Sequence, residues 1–100
     1  MKILLTPRAD GQLRALPAPA ARKVVKALRL LQRFPRSGQG YPDDSPFSGS
    51  HYKVVVVRAR RWAYRVTYDL RGDTLWVRYL YPSWYPLTHP DLAVKSGRAG

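Results

Sequence analysis

The segment Tyr52 to Tyr81, YKVVVVRARRWAYRVTYDLRGDTLWVRYLY, constrains this chain most. Valines and aromatic residues dominate it, and two short polar breaks divide it. It reads as three consecutive strands near Tyr52–Ala59, Trp62–Asp69 and Thr74–Tyr81, with Arg71-Gly72-Asp73 making the second turn. Arginines and a lysine are threaded through this β-meander, the pattern of a nucleic-acid surface.

Side-chain alternation sorts the meander into two faces. In the middle strand Trp62, Tyr64, Val66 and Tyr68 point to the core, and Ala63, Arg65, Thr67 and Asp69 point away. A three-residue turn at Ala59-Arg60-Arg61 sends Val54 and Val56 into that core and brings Lys53 onto the face of Arg65. A two-residue turn would bury Lys53 against Tyr68, and burying an unpaired ammonium costs far more than exposing two valines. A four-residue loop from Leu70 to Asp73 then adds Leu75, Val77, Tyr79 and Tyr81 to the core. The expected result is an open face carrying Lys53, Arg65, Arg78 and Trp76.

Upstream, Lys2 to Thr6 is a strand candidate. A short helix near Ala9 to Leu16 and a longer one near Pro17 to Phe34 follow, with Pro17 or Pro19 in a first turn and Pro35 as a stop. Ala20, Val24, Ala27, Leu28 and Leu31 recur at helical spacing and form the buried stripe. On the opposite face Arg22, Lys26, Arg29 and Arg33 stand at intervals of four, three and four, a cationic ridge with no acid to offset it. It reads either as a solvated face or as a contact for phosphate or an acidic partner. The stretch from Arg36 to Ser50 is rich in Gly, Pro, Ser and Asp, an irregular connection that Tyr41 and Phe47 can pin. One α+β domain over residues 1–92, β-α-α-β-β-β with two helices packed on a small antiparallel-rich sheet, and a frayed tail over 93–100 are the expectation.

Composition narrows the function. Lys+Arg 18 against Asp+Glu 6 gives a formal charge of +12 on 100 residues, so a polyanion or an acidic partner is expected. Cysteine is absent, which excludes disulfides and thiolate-ligated metals, and two histidines alone cannot close a metal site. No metal or other cofactor is expected. From Met1 to Asp10 only Ile3, Leu4 and Leu5 form an apolar run, far short of a signal core or a span of roughly 20 residues. Cytoplasmic residence without a membrane contact is the expectation.

Three short motifs in order, Leu16-Pro17, Phe34-Pro35-Arg36-Ser37-Gly38 and Tyr64-Arg65-Val66-Thr67-Tyr68, lie on this strand, helix, helix, three-strand plan. Together they resemble the RelE/ParE toxin superfamily of type II toxin–antitoxin pairs, over about Lys2 to Trp84. The resemblance implies a RelE-like fold and a cognate acidic antitoxin, which would account for the charge. It also implies one of two activities: metal-independent cleavage of mRNA on the ribosome, or inhibition of DNA gyrase without chemistry.

Cleaving RNA without a metal requires deprotonation of the 2′-hydroxyl, positive charge around the phosphorane and a proton for the leaving 5′-oxygen. By resemblance Arg65 falls on the phosphate-binding arginine and Lys53 on a cationic position of the preceding strand. Tyr85 or His89 would transfer protons, with His51 a further candidate. Arg78, Arg58 and Arg61 would contact RNA, and Trp76 or Trp84 would stack on a base. Arg22, Lys26, Arg29 and Arg33 would meet a partner. The chain departs from the ribonuclease pattern after its last strand, where Tyr81-Pro82-Ser83-Trp84-Tyr85 lacks a His-Arg pair. Gyrase inhibition, or a basic nucleic-acid-binding module, are the alternatives.

Overall fold

The structure, a computed structural model, describes residues 1–58 and 62–82. Strand β1 (Lys2–Leu5) leads into helix α1 (Pro7–Ala15) and helix α2 (Ala18–Arg33). A 3-10 turn (Pro35–Ser37) and a two-residue strand β2 (Gln39–Gly40) precede the meander of β3 (His51–Arg58), β4 (Trp62–Arg71) and β5 (Thr74–Pro82). The strands make one mixed sheet in the order β1-β5-β4-β3-β2, with β1 parallel to β5 and the other pairs antiparallel. The α+β plan is the expected one, with β2 as an addition.

Both helices pack on one side of the sheet. Thr6 caps α1 by accepting from the Ala9 amide, and Pro7 suits the first turn because its missing N–H would have had no partner there. Val24, Leu28 and Leu31 of α2 are buried against Val55, Val66, Tyr68, Leu75, Val77 and Leu80, and Ala20 of the same helix is also buried. Full burial of a residue such as Leu31 is worth about 1.5–3 kcal/mol. Helix α1 runs past the end of β1 along the edge of β5. There the Thr6 amide donates to the Val77 carbonyl at 3.0 Å, and Gln12 Oε1 accepts from the Leu80 amide at 2.8 Å. These bonds satisfy strand-edge groups that would otherwise lack partners.

The register differs from the expected one in two places. Lys53 pairs with Val66 and Val54 with Arg65, so Val55 is the buried valine while Val54 and Val56 are 45% and 54% exposed. Lys53 thus lies on the helix side but escapes burial, because its chain reaches the rim and Nζ donates to the Ser37 carbonyl at 3.4 Å. The second difference is a bulge. Pairing slips between Thr67↔Tyr79 and Tyr68↔Val77, which leaves Arg78 as the extra residue. Leu80 therefore takes the core position, and Tyr79 and Tyr81 sit on the far side, opposite Thr67 and Arg65.

The Phe34-Pro35-Arg36-Ser37-Gly38 motif has a structural role. The Tyr68 hydroxyl donates to the Pro35 carbonyl at 3.0 Å, and a Cβ on Gly38 would overlap that hydroxyl and lie 2.7 Å from the Tyr52 carbonyl oxygen. Gly38→Ala is expected to destabilise the fold by about 1–3 kcal/mol in urea unfolding, as overpacked sites do. Part of that loss should return in the double variant with Tyr68→Phe, whereas an additive result would place the strain elsewhere.

Candidate functional site

The far side of the sheet is covered in part, with Val54 and Val56 left exposed. From Tyr41 to Ser50 the chain folds over it as a strap closed by its own turns, with amide bonds from Ser45 to Pro42, Ser48 to Ser45 and Ser50 to Phe47. The strap supplies two rings to an aromatic chain. Tyr52 contacts Tyr41 at 4.9 Å between centroids, Tyr41 contacts Phe47 at 5.1 Å, and Phe47 contacts Tyr79 and Tyr81 at 5.4 and 5.8 Å. Tyr41 bonds through its hydroxyl to Thr67, and the Ser50 hydroxyl donates to Asp69.

Arg65 lies beneath this cover, 2% exposed, with its guanidinium carbon 5.7 and 5.9 Å from the Tyr41 and Tyr52 ring centroids. Ring faces carry partial negative charge, so two tyrosines offset part of the cost of burying a cation. The expected open cationic face does not form around it. Lys53 stands on the opposite side of the sheet, because the register sets Val54 across from Arg65. The two residues expected to act together are separated by the sheet itself.

The phenols nearby are held in their neutral form. Burial pushes Tyr41 above the usual tyrosine value, against the opposing pull of Thr67 and Arg65. Burial likewise raises Tyr68. Neither group is a base at neutral pH. His51 stacks on Tyr68 at 5.6 Å on the helix side, with Nδ1 buried and lacking a hydrogen bond among the described residues.

Trp76 and Arg78 do share the far side, at its β1 end. Trp76 lies opposite Asp69 in the register, and Arg78 pairs with that carboxylate at 3.3 Å; Arg71 approaches it at 3.7 Å. Arg8, which no sequence motif marks, lies 5.4 Å from the Tyr79 ring, and Arg78 lies 5.3 Å from the same ring. Only the bulge brings Tyr79 here. No strict alternation could have found this cluster.

On α2, Arg22, Lys26, Arg29 and Arg33 are all exposed, and they form the ridge that the spacing implies. Leu30 and Phe34 beside them are 51% and 57% exposed. Tyr85, His89, Trp84 and Arg61 lie outside the described residues, as do residues 93–100, where a frayed tail is expected, and 59–61, where a turn is expected; for Arg58 only the backbone is described. Among the described residues no group of three His, Cys, Asp or Glu could hold a metal, and no helix is long and apolar enough to cross a membrane.

No protein-family model and no curated protein matches the sequence. Solved structures match its fold. A chain of the chromosomal ParDE TA system from P. aeruginosa superposes with a TM-score of 0.60 at 20% identity, covering 82% of this chain and 95% of that one. A YoeB/ParE toxin from Agrobacterium tumefaciens gives the same score and identity, covering 82% and 98%. The chain has the RelE/ParE toxin fold.

The raised phenols make stability depend on alkaline pH. Their folded pKa values exceed the unfolded value near 10, so the unfolded chain ionises first. Stability from these groups is full below about pH 10 and falls as pH rises through the folded values. Tyr68→Phe is expected to flatten this fall in urea titrations across that range. An unchanged slope would contradict the assignment.

Proposed function

We propose that the chain is the toxin of a type II toxin–antitoxin pair and that it acts by binding its target, as a ParE-like inhibitor of DNA gyrase. The likeness to ParDE and YoeB/ParE structures over most of both chains supports the toxin reading. One observation favours binding over chemistry: the arginine on which RNA cleavage would depend is 2% exposed, under Tyr41 and Tyr52. Stabilising a phosphorane needs a donor within hydrogen-bond reach of the phosphate. Lys53 on the opposite side of the sheet removes the expected second cation. In this reading Arg65 holds the far face together.

The antitoxin in this proposal is an acidic, amphipathic segment lying along α2. Arg22, Lys26, Arg29 and Arg33 would take its carboxylates, while Leu30 and Phe34 would take its apolar stripe. Such a partner suits a chain of net charge +12. It occupies the helix side and leaves the strap untouched.

Induction in a bacterium is expected to arrest growth without new mRNA 5′ ends in primer extension, and purified toxin is expected to inhibit gyrase supercoiling stoichiometrically. New 5′ ends that disappear with a folded Arg65→Lys variant would overturn the binding reading in favour of a ribosome-associated endoribonuclease. Absence of arrest would reject the toxin role and favour a basic nucleic-acid-binding module.

A further inference from the structure

Two arginines share one carboxylate, and a third lies over a neighbouring ring, at the corner where β1 turns into α1. Arg71 and Arg78 share Asp69, which also accepts from the Ser50 hydroxyl. Arg8 adds a third guanidinium, over the Tyr79 ring that Arg78 already faces. Cations gathered this closely repel one another, and a bound anion would relieve that repulsion.

The corner is firmly built. The Thr6 hydroxyl donates to the Arg78 carbonyl at 3.0 Å and accepts from the Ala9 amide at 3.2 Å, locking the bulged residue to the start of α1. Two clefts open beside it and share Thr6 and Arg78. One, of about 200 Å³, lies between Arg8, Arg78 and Tyr79; the other, of about 250 Å³, lies between Arg71, Arg78, Asp69 and Trp76. Arg78 therefore stands between a doubly cationic recess and a recess walled by an indole.

We propose that this pair of clefts binds a nucleotide unit. The phosphate sits between Arg8 and Arg78, and the base lies against Trp76. Guanidiniums suit phosphate oxygens through paired N–H donors, and the indole offers a flat stacking surface. The unit can come from a free nucleoside 5′-phosphate or from a nucleotide within a single strand. This site stands apart from the toxin reading, because neither the α2 ridge nor Arg65 takes part in it.

The test uses the full-length protein with three probes: AMP, inorganic phosphate and a fluorescently labelled single-stranded oligoadenylate. Titration calorimetry serves the first two and anisotropy the third. Arg8→Ala, which removes an exposed side chain, is expected to weaken AMP or oligoadenylate binding about tenfold and to lower the salt slope by about one for the oligonucleotide. Trp76→Leu is expected to weaken nucleotide binding about tenfold while leaving inorganic phosphate unaffected. Arg22→Ala on α2 should change neither. Sensitivity of AMP binding to Arg8→Ala identifies a free nucleotide as sufficient, and sensitivity of the oligonucleotide alone identifies nucleic acid as the source. Failure of AMP and oligonucleotide to bind, or binding indifferent to Arg8→Ala, would overturn the proposal. Equal losses from Arg8→Ala and Arg22→Ala would also overturn it, since they would mark general attraction to a basic surface.

Discussion

Burial of the Arg65 guanidinium is the constraint around which the far side of this sheet is organised. A charge withdrawn from water is stable only among groups that replace its solvation. Here Tyr41 and Tyr52 turn ring faces toward it, and the strap that carries Tyr41 is held by Thr67, Asp69 and, through Phe47, by Tyr79 and Tyr81. The loop between helices and meander is thereby a second, aromatic layer. With the helices on the other side, the sheet is covered on both faces along much of its length.

The long helix was legible in the sequence because Pro17 or Pro19 at its start, Pro35 after its end and the apolar stripe Ala20, Val24, Ala27, Leu28 and Leu31 all specify the same element. The meander was legible as strands but not as faces. Register depends on single-residue slips, and a slip inverts every side chain. Lys53 illustrates the first: the cost of burial argues against the core side, yet its flexible stem carries the ammonium to the Ser37 carbonyl. Arg78 illustrates the second. Its bulge moves Leu80 inward and Tyr79 and Tyr81 outward, and nothing in the alternation of Thr74 to Tyr81 announces it.

These slips also decide what the candidate site can be. A strand pattern read with Lys53 on the face of Arg65 and without the bulge joins Lys53, Arg65 and Arg78 into one catalytic-looking surface. The folded chain separates them into a buried arginine, a rim lysine and a corner arginine paired with Asp69. Among the described residues, positive charge gathers at the α2 ridge and at the corner at Thr6. Different partners can address the two independently.

The most direct measurement is the reactivity of individual arginines toward phenylglyoxal, mapped by mass spectrometry on the native protein. The account expects Arg22, Arg29 and Arg33 to label readily and Arg65 to stay protected until the fold is denatured. Labelling of Arg65 in the native state at the rate of the ridge arginines would show an open guanidinium. That result would contradict a structural Arg65 and return the ribonuclease reading to first place.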